Sequence, residues 1–146
     1  MGQEGIVIQY GAQKSYQAVT SNLTLDRYDT GKLLVLSGGA GRTDALTCSL
    51  PAIADVDAGW QIQIMAASNH NHAVACVAGE PLLSGAIMVT GAMGSAGAVA
   101  VPGSTSLTLS TVGLGSDVRG TQLEIFSDGT NYFISGLTTG GTAAAE

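Results

Sequence analysis

A chain of 146 residues fits one domain and is long enough to bury roughly 68–70% of its unfolded surface as a compact monomer. Only 11% of its residues are charged, against about 25% in an ordinary soluble domain; either small polar side chains keep the surface in water, or part of it is buried against copies of itself or another protein. The net charge of −6 comes from 11 acids and 5 bases, and Arg119 is the only base after residue 60, which leaves no Lys/Arg cluster for nucleic acid and no basic face for a membrane surface.

The opening MGQEGIVIQY lacks a basic region ahead of an apolar run, so no secretory signal is expected and synthesis in a cytoplasm follows. Ile6, Val7 and Ile8, then Tyr10 and Tyr16, stand among Gln and Gly. Residues 1–20 therefore read either as an edge strand or as an arm that docks on a neighbour. Asn22–Leu36 reads as strand, turn, strand: Leu23 and Leu25 alternate with polar residues, Asp29-Thr30-Gly31 supplies the turn, and Leu33–Leu36 is a short apolar run. The Gly-rich stretch Ser37–Asp44 resembles a phosphate loop only in composition. It lacks a terminal Gly-Lys-Ser/Thr and a following helix, so a hairpin turn is predicted before Ala45–Leu50, where Leu46, Cys48 and Leu50 point one way.

Pro51–Gly59 is a connection with room for one helical turn, and Asp55 and Asp57 stand too much alone for calcium. Trp60–Ala66 has the cleanest period of two, with Trp60, Ile62 and Ile64 on one face, and predicts a central strand. Trp60 then anchors the core or, alternatively, serves as a sugar platform. His70 and His72 lie in a polar turn ahead of Ala73–Ala78; they lack a third and fourth ligand at a recognisable spacing for a metal. Cys48 and Cys76 are expected to be free and buried, given a cytoplasmic origin. Ala86–Val101 is uncharged but too short and too rich in glycine to span a membrane as a helix.

Leu82–Val89 and Leu107–Leu109 read as strands on either side of a Gly/Ala-rich stretch. In Gly120–Gly136 the Asp128-Gly129 pair marks a hairpin. A two-residue loop would set Phe126 opposite Asn131, Ile125 opposite Tyr132 and Leu123 opposite Ile134, with Leu123, Ile125, Tyr132 and Ile134 on one face; a four- or five-residue loop would shift the pairing. The tip, Ser127 to Asn131 (Ser127, Asp128, Gly129, Thr130, Asn131), is expected to be exposed. Residues 139–146 read as a flexible tail. Short strands at regular intervals, without a long amphipathic helix, predict an all-β sandwich or barrel over residues 21–138, preferably an antiparallel jelly-roll sandwich with little or no helix.

The strings LTLDRYDTGKLLVL, LTCSLPAIADVDAGWQIQI, GEPLLSG and GTQLEIFSDGTNYFISG, spanning Asn22 to Leu137, together resemble small β-sandwich virion proteins of tailed bacteriophages. The likeness is above all to head decoration, or cement, proteins; related strings occur in head-fibre and tail-fibre modules. The resemblance implies a homotrimer on the outer surface of the phage head, bridging capsomers of the major capsid protein. It transfers no catalytic residue and no cofactor. The sequence likewise holds no Gly-x-Ser-x-Gly pattern and no Cys/His signature, so no enzyme is expected.

Two regions depart from the shared pattern and are where attachment is expected. They are the N-terminal arm, with Ile6, Val7, Ile8, Tyr10 and Tyr16, and the Gly/Ala-rich stretch, with Met93, Val99 and Val101. The alternative is a carbohydrate- or receptor-binding fibre module that uses Trp60, Tyr132 or Tyr28 as stacking platforms.

Overall fold

The structure, a computed structural model, describes residues 15–37, 45–77, 80, 83–89, 97–110, 118–138 and 142–145. Among them run twelve strands: β1 (Tyr16–Val19), β2 (Leu23–Thr24), β3 (Leu33–Leu36), β4 (Thr47–Ser49), β5 (Gln61–Ala66), β6 (Ala73–Ala75), β7 (Leu83–Val89), β8 (Gly97–Ser104), β9 (Ser106–Ser110), β10 (Gln122–Ser127), β11 (Tyr132–Thr138) and β12 (Thr142–Ala145). Single 3-10 turns occur at Arg27–Asp29 and Ile53–Asp55. The chain is all-β. A seven-stranded sheet has the order β1-β3-β5-β10-β11-β7-β8, and a five-stranded sheet the order β12-β9-β6-β4-β2.

The expected antiparallel arrangement is corrected, because both sheets are mixed. β1 with β3, β3 with β5, β7 with β11, β2 with β4 and β4 with β6 all pair parallel. The reason lies in how the chain moves. From β1 to β7 successive strands alternate between the sheets, so a strand re-entering its sheet two elements later runs in its original direction. Asp29–Gly31 therefore joins strands of different sheets and is not a hairpin turn. β3 and β4, on either side of the Gly-rich stretch, likewise belong to different sheets.

Residues 142–145, within the segment 139–146 expected to be a flexible tail, form β12, antiparallel to β9. Tyr16–Val19 is an edge strand of the seven-stranded sheet, and the apolar run Ile6–Ile8 lies outside the described residues.

The hairpin forms, with its register moved by two. Ser127 faces Tyr132, Phe126 faces Phe133, Ile125 faces Ile134 and Leu123 faces Gly136. A two-residue type I′ loop needs positive φ at both central residues, and here only Gly129 (φ 87°) has it; no non-glycine residue among those described does. Asp128 instead organises a four-residue loop, its carboxylate accepting the amides of Asn131 (2.7 Å) and Thr130 (2.8 Å). A slip of two preserves which face each side chain takes, so Leu123, Ile125, Tyr132 and Ile134 are still buried together.

One core serves both sheets. Leu34, Leu36, Ile62, Ile64, Leu123, Ile125 and Ile134 from the larger sheet meet Cys48, Val74, Leu107 and Leu109 from the smaller. Gly85 has no room for a side chain: a Cβ there would overlap the Ile134 carbonyl oxygen, and its φ of 148° lies outside ordinary L-residue backbone.

Candidate functional surface

Strand alternation sends one set of side chains of the seven-stranded sheet into the core and the other outward. The outward set is unusual. Tyr16, Leu33, Val35, Met65, Phe126, Phe133, Leu137 and Met88 occupy it across six adjacent strands, as the register places them. Phe126 and Phe133, directly cross-strand, stack with centroids 5.2 Å apart. Tyr16, Met88, Phe126 and Leu137 are four of the six large hydrophobic side chains exposed among the described residues. Large apolar side chains gathered on one outward face, in groups separated by Gln63, Gln122, Glu124 and Ser135, make it the candidate contact surface.

Gln61, Gln63, Gln122 and Ser135 supply the polarity of this face, and Glu124 is its one charged residue among those described. A shallow depression of about 320 Å³ opens beside Glu124, between Leu33, Met65 and Leu137. Its floor is low because Ser135 and Gly136 carry little or no side chain.

The expected contact residues fall unevenly. Tyr16 is exposed on β1 at the edge of this face. Ile6, Val7, Ile8, Tyr10 and Met93 lie outside the described residues. Val99 pairs with Ile87 in the β7–β8 ladder. Val101 is corrected from contact residue to core: it is buried among the other inward side chains. The hairpin tip is narrower than expected. Asp128, Gly129 and Thr130 are exposed and Asn131 is half-buried, but Ser127 is buried as the last residue of the ladder, its amide donating to the Trp60 carbonyl oxygen (2.8 Å) and its hydroxyl accepting the Gly129 amide (2.9 Å).

Two of the three proposed stacking platforms are internal. Trp60 is 4% exposed and packs edge-on against Tyr132, centroids 5.7 Å apart, while its Nε1–H donates to the Asp26 carbonyl oxygen (3.2 Å). Tyr132 is fully buried, and burial raises its pKa. Tyr28 is 72% exposed. It sits on the Arg27–Asp29 turn, where the Asp26 carboxylate accepts the Tyr28 amide (2.7 Å) and the Asp29 carboxylate accepts the Asp26 amide (2.7 Å), and the Arg27 guanidinium lies over its ring.

His72 is a core residue despite its polar neighbours. Its Nδ1 accepts the Leu46 amide (3.1 Å) and its Nε2 meets the Ser68 hydroxyl (2.9 Å). The proton therefore sits on Nε2, and the Ser68 hydroxyl passes the chain of bonds to the Leu36 carbonyl oxygen (3.3 Å). Burial, more than the neighbouring His70, pushes the imidazole pKa below its ordinary value near 6.5. Cys48 and Cys76 are free and buried, and burial pushes the Cys48 thiol up to about 11. No group of three metal-ligating side chains occurs among the described residues; no helix there is long and apolar enough to cross a membrane.

Comparison with protein-family models, with curated proteins and with solved structures gives no match.

The sequence reading missed most of the outer face. Its signal was present in the strands whose two faces are both apolar, as in Leu33–Leu36 and Tyr132–Leu137. A strand open to water on one side alternates apolar and polar; a strand that does not alternate has a second surface to cover.

Proposed function

We propose that this protein is a structural binding protein of a tailed-bacteriophage virion, a decoration protein that holds the outer surface of the head and bridges capsomers of the major capsid protein. The observation that carries the proposal is the outer face of the seven-stranded sheet, which exposes Tyr16, Met88, Phe126 and Leu137 and carries one charge, Glu124, among the described residues. Seven strands spaced by about 4.8 Å and five residues rising about 3.3 Å each make a face on the order of 500 Å². A standard stable interface buries about 800 Å² on each partner, so one such contact is weak. Repetition on a symmetric lattice, with the protein as a homotrimer, turns weak contacts into firm attachment. Two sheets around one core support the sandwich form of the fold.

The test adds purified protein to heads that lack it. Wild-type protein gives density at three-fold positions and raises the temperature at which heads disrupt. The Phe126→Ser/Leu137→Ser double variant, changed only on the outer face, keeps its fold and loses most of that protection. Heads left bare by wild-type protein contradict the proposal.

Tyr28 favours a second reading, a carbohydrate- or receptor-binding module of a fibre, since an exposed ring beside Arg27 and a groove of about 430 Å³ suits a sugar face. Glycan binding abolished by Tyr28→Ala supports it; a glycan panel without a hit removes it.

A further inference from the structure

We infer that the depression beside Glu124 is a socket for an arginine side chain presented by the apolar surface of a different protein. The inference rests on the reading of the outer sheet face as the working surface and names the chemistry of its partner. Glu124 stands at the middle of that face, on the fourth of its seven strands, and makes no ion pair or side-chain hydrogen bond among the described residues. When an apolar partner covers the face, this carboxylate leaves water. An uncompensated buried charge opposes association strongly, whereas a cation placed against it restores what the carboxylate loses.

A second copy of this chain fits poorly. Packing the face on itself about a two-fold axis brings one Glu124 toward the other, and each copy already carries a net charge of −6. Of the chain's five bases, Lys32 is bound to Asp29, Arg27 lies on Tyr28 and Arg119 has a partner of its own, while Lys14 and Arg42 lie outside the described residues. The complementary partner is thus basic at this point, polar against Gln63, Gln122 and Ser135 beside it, and apolar where it meets Leu33, Met65, Leu137 and Phe126.

Arginine suits the site better than lysine. Its planar fork matches a carboxylate with two parallel hydrogen bonds, and it stacks on aromatic rings. Phe126 lies two residues from Glu124 on the same face, about 7 Å along the strand, and is stacked on Phe133. Gln63 and Gln122, whose carbonyls are further acceptors, flank the depression.

The test has three arms. Binding to heads that lack the protein is measured for wild type, Glu124→Lys and the charge-matched control Asp57→Lys, which lies in an exposed loop. Glu124→Lys weakens binding on the order of 100-fold, and Asp57→Lys by no more than about threefold; equal losses overturn the socket while leaving head binding intact. In the second arm the peptides acetyl-Ala-Leu-Arg-Leu-Ala-amide and acetyl-Ala-Leu-Glu-Leu-Ala-amide are titrated into labelled protein. The arginine peptide shifts amide resonances of β5, β10 and β11, and Glu124→Lys abolishes the shifts. No shifts, or equal shifts with both peptides, overturn the socket even where heads are not bound. Sedimentation equilibrium is the third arm: wild-type self-association that Glu124→Gln tightens identifies a second copy as the occupant and overturns the proposal.

Discussion

The Tyr132 hydroxyl donates a 2.9 Å hydrogen bond to the Pro51 carbonyl oxygen, joining the first residue of β11 in the larger sheet to the segment that leaves β4 in the smaller. The bond is buried, with the edge of Trp60 against the tyrosine ring. Tyr132→Phe keeps the ring and strands the carbonyl without a donor. An unsatisfied buried acceptor costs about 1–2 kcal/mol, which urea unfolding will register as a lower midpoint at unchanged slope.

Stability will depend on pH through His72. Its folded pKa lies below the ordinary value near 6.5, so in the window between the two the unfolded chain binds the extra proton. Stability contributed by the neutral imidazole is therefore fully present above about pH 7.5 and declines as pH falls through 6.5 toward the folded pKa, by at most about 1.4 kcal/mol per pH unit. Unfolding curves from about pH 7.5 down to about pH 5.5 will show this decline in wild type and a shallower one in His72→Gln.

Cys48 and Cys76 will resist a thiol reagent in the native protein at about pH 8, because the thiolate is the reactive form and burial holds Cys48 in the thiol form. Both will react on addition of denaturant. Rapid labelling of the native protein contradicts the buried positions.

Trp60 is the sole tryptophan and reports directly on the core. Its emission will be blue-shifted and hard to quench with iodide, and sugars will leave it unchanged. Trp60→Ala removes a buried ring and will destabilise by about 3–5 kcal/mol, so any lost function in that variant follows from unfolding.

Period-two patterns in the sequence made the inward side of the larger sheet legible: Ile62 and Ile64 in one strand, and Leu123, Ile125, Tyr132 and Ile134 in the hairpin. The two-residue loop and the longer, four-residue alternative that the structure adopts put the same side chains on the inward face, because a slip of two leaves side-chain faces unchanged. Strand direction was not legible. Whether Leu33–Leu36 pairs with its sequence neighbour or with Gln61–Ala66 depends on which sheet each strand enters, and nothing local encodes that choice. His72 was hidden by the polar residues beside it, since its burial comes from Leu46 and Ser68 folding around it. Phe126 and Phe133 were visible as residues but not as a surface. Their stacking requires the register that Asp128 sets through its four-residue loop.

The central claim is that the outer face of the seven-stranded sheet is what holds the partner. Cryo-electron microscopy of heads to which the protein has been restored tests it most directly. The account predicts that Phe126, Leu137 and Glu124 lie against the shell, with an arginine of the capsid protein at the carboxylate. A protein bound with that face open to solvent, attached through the Arg27–Asp29 turn or the Asp128–Asn131 loop instead, would contradict it.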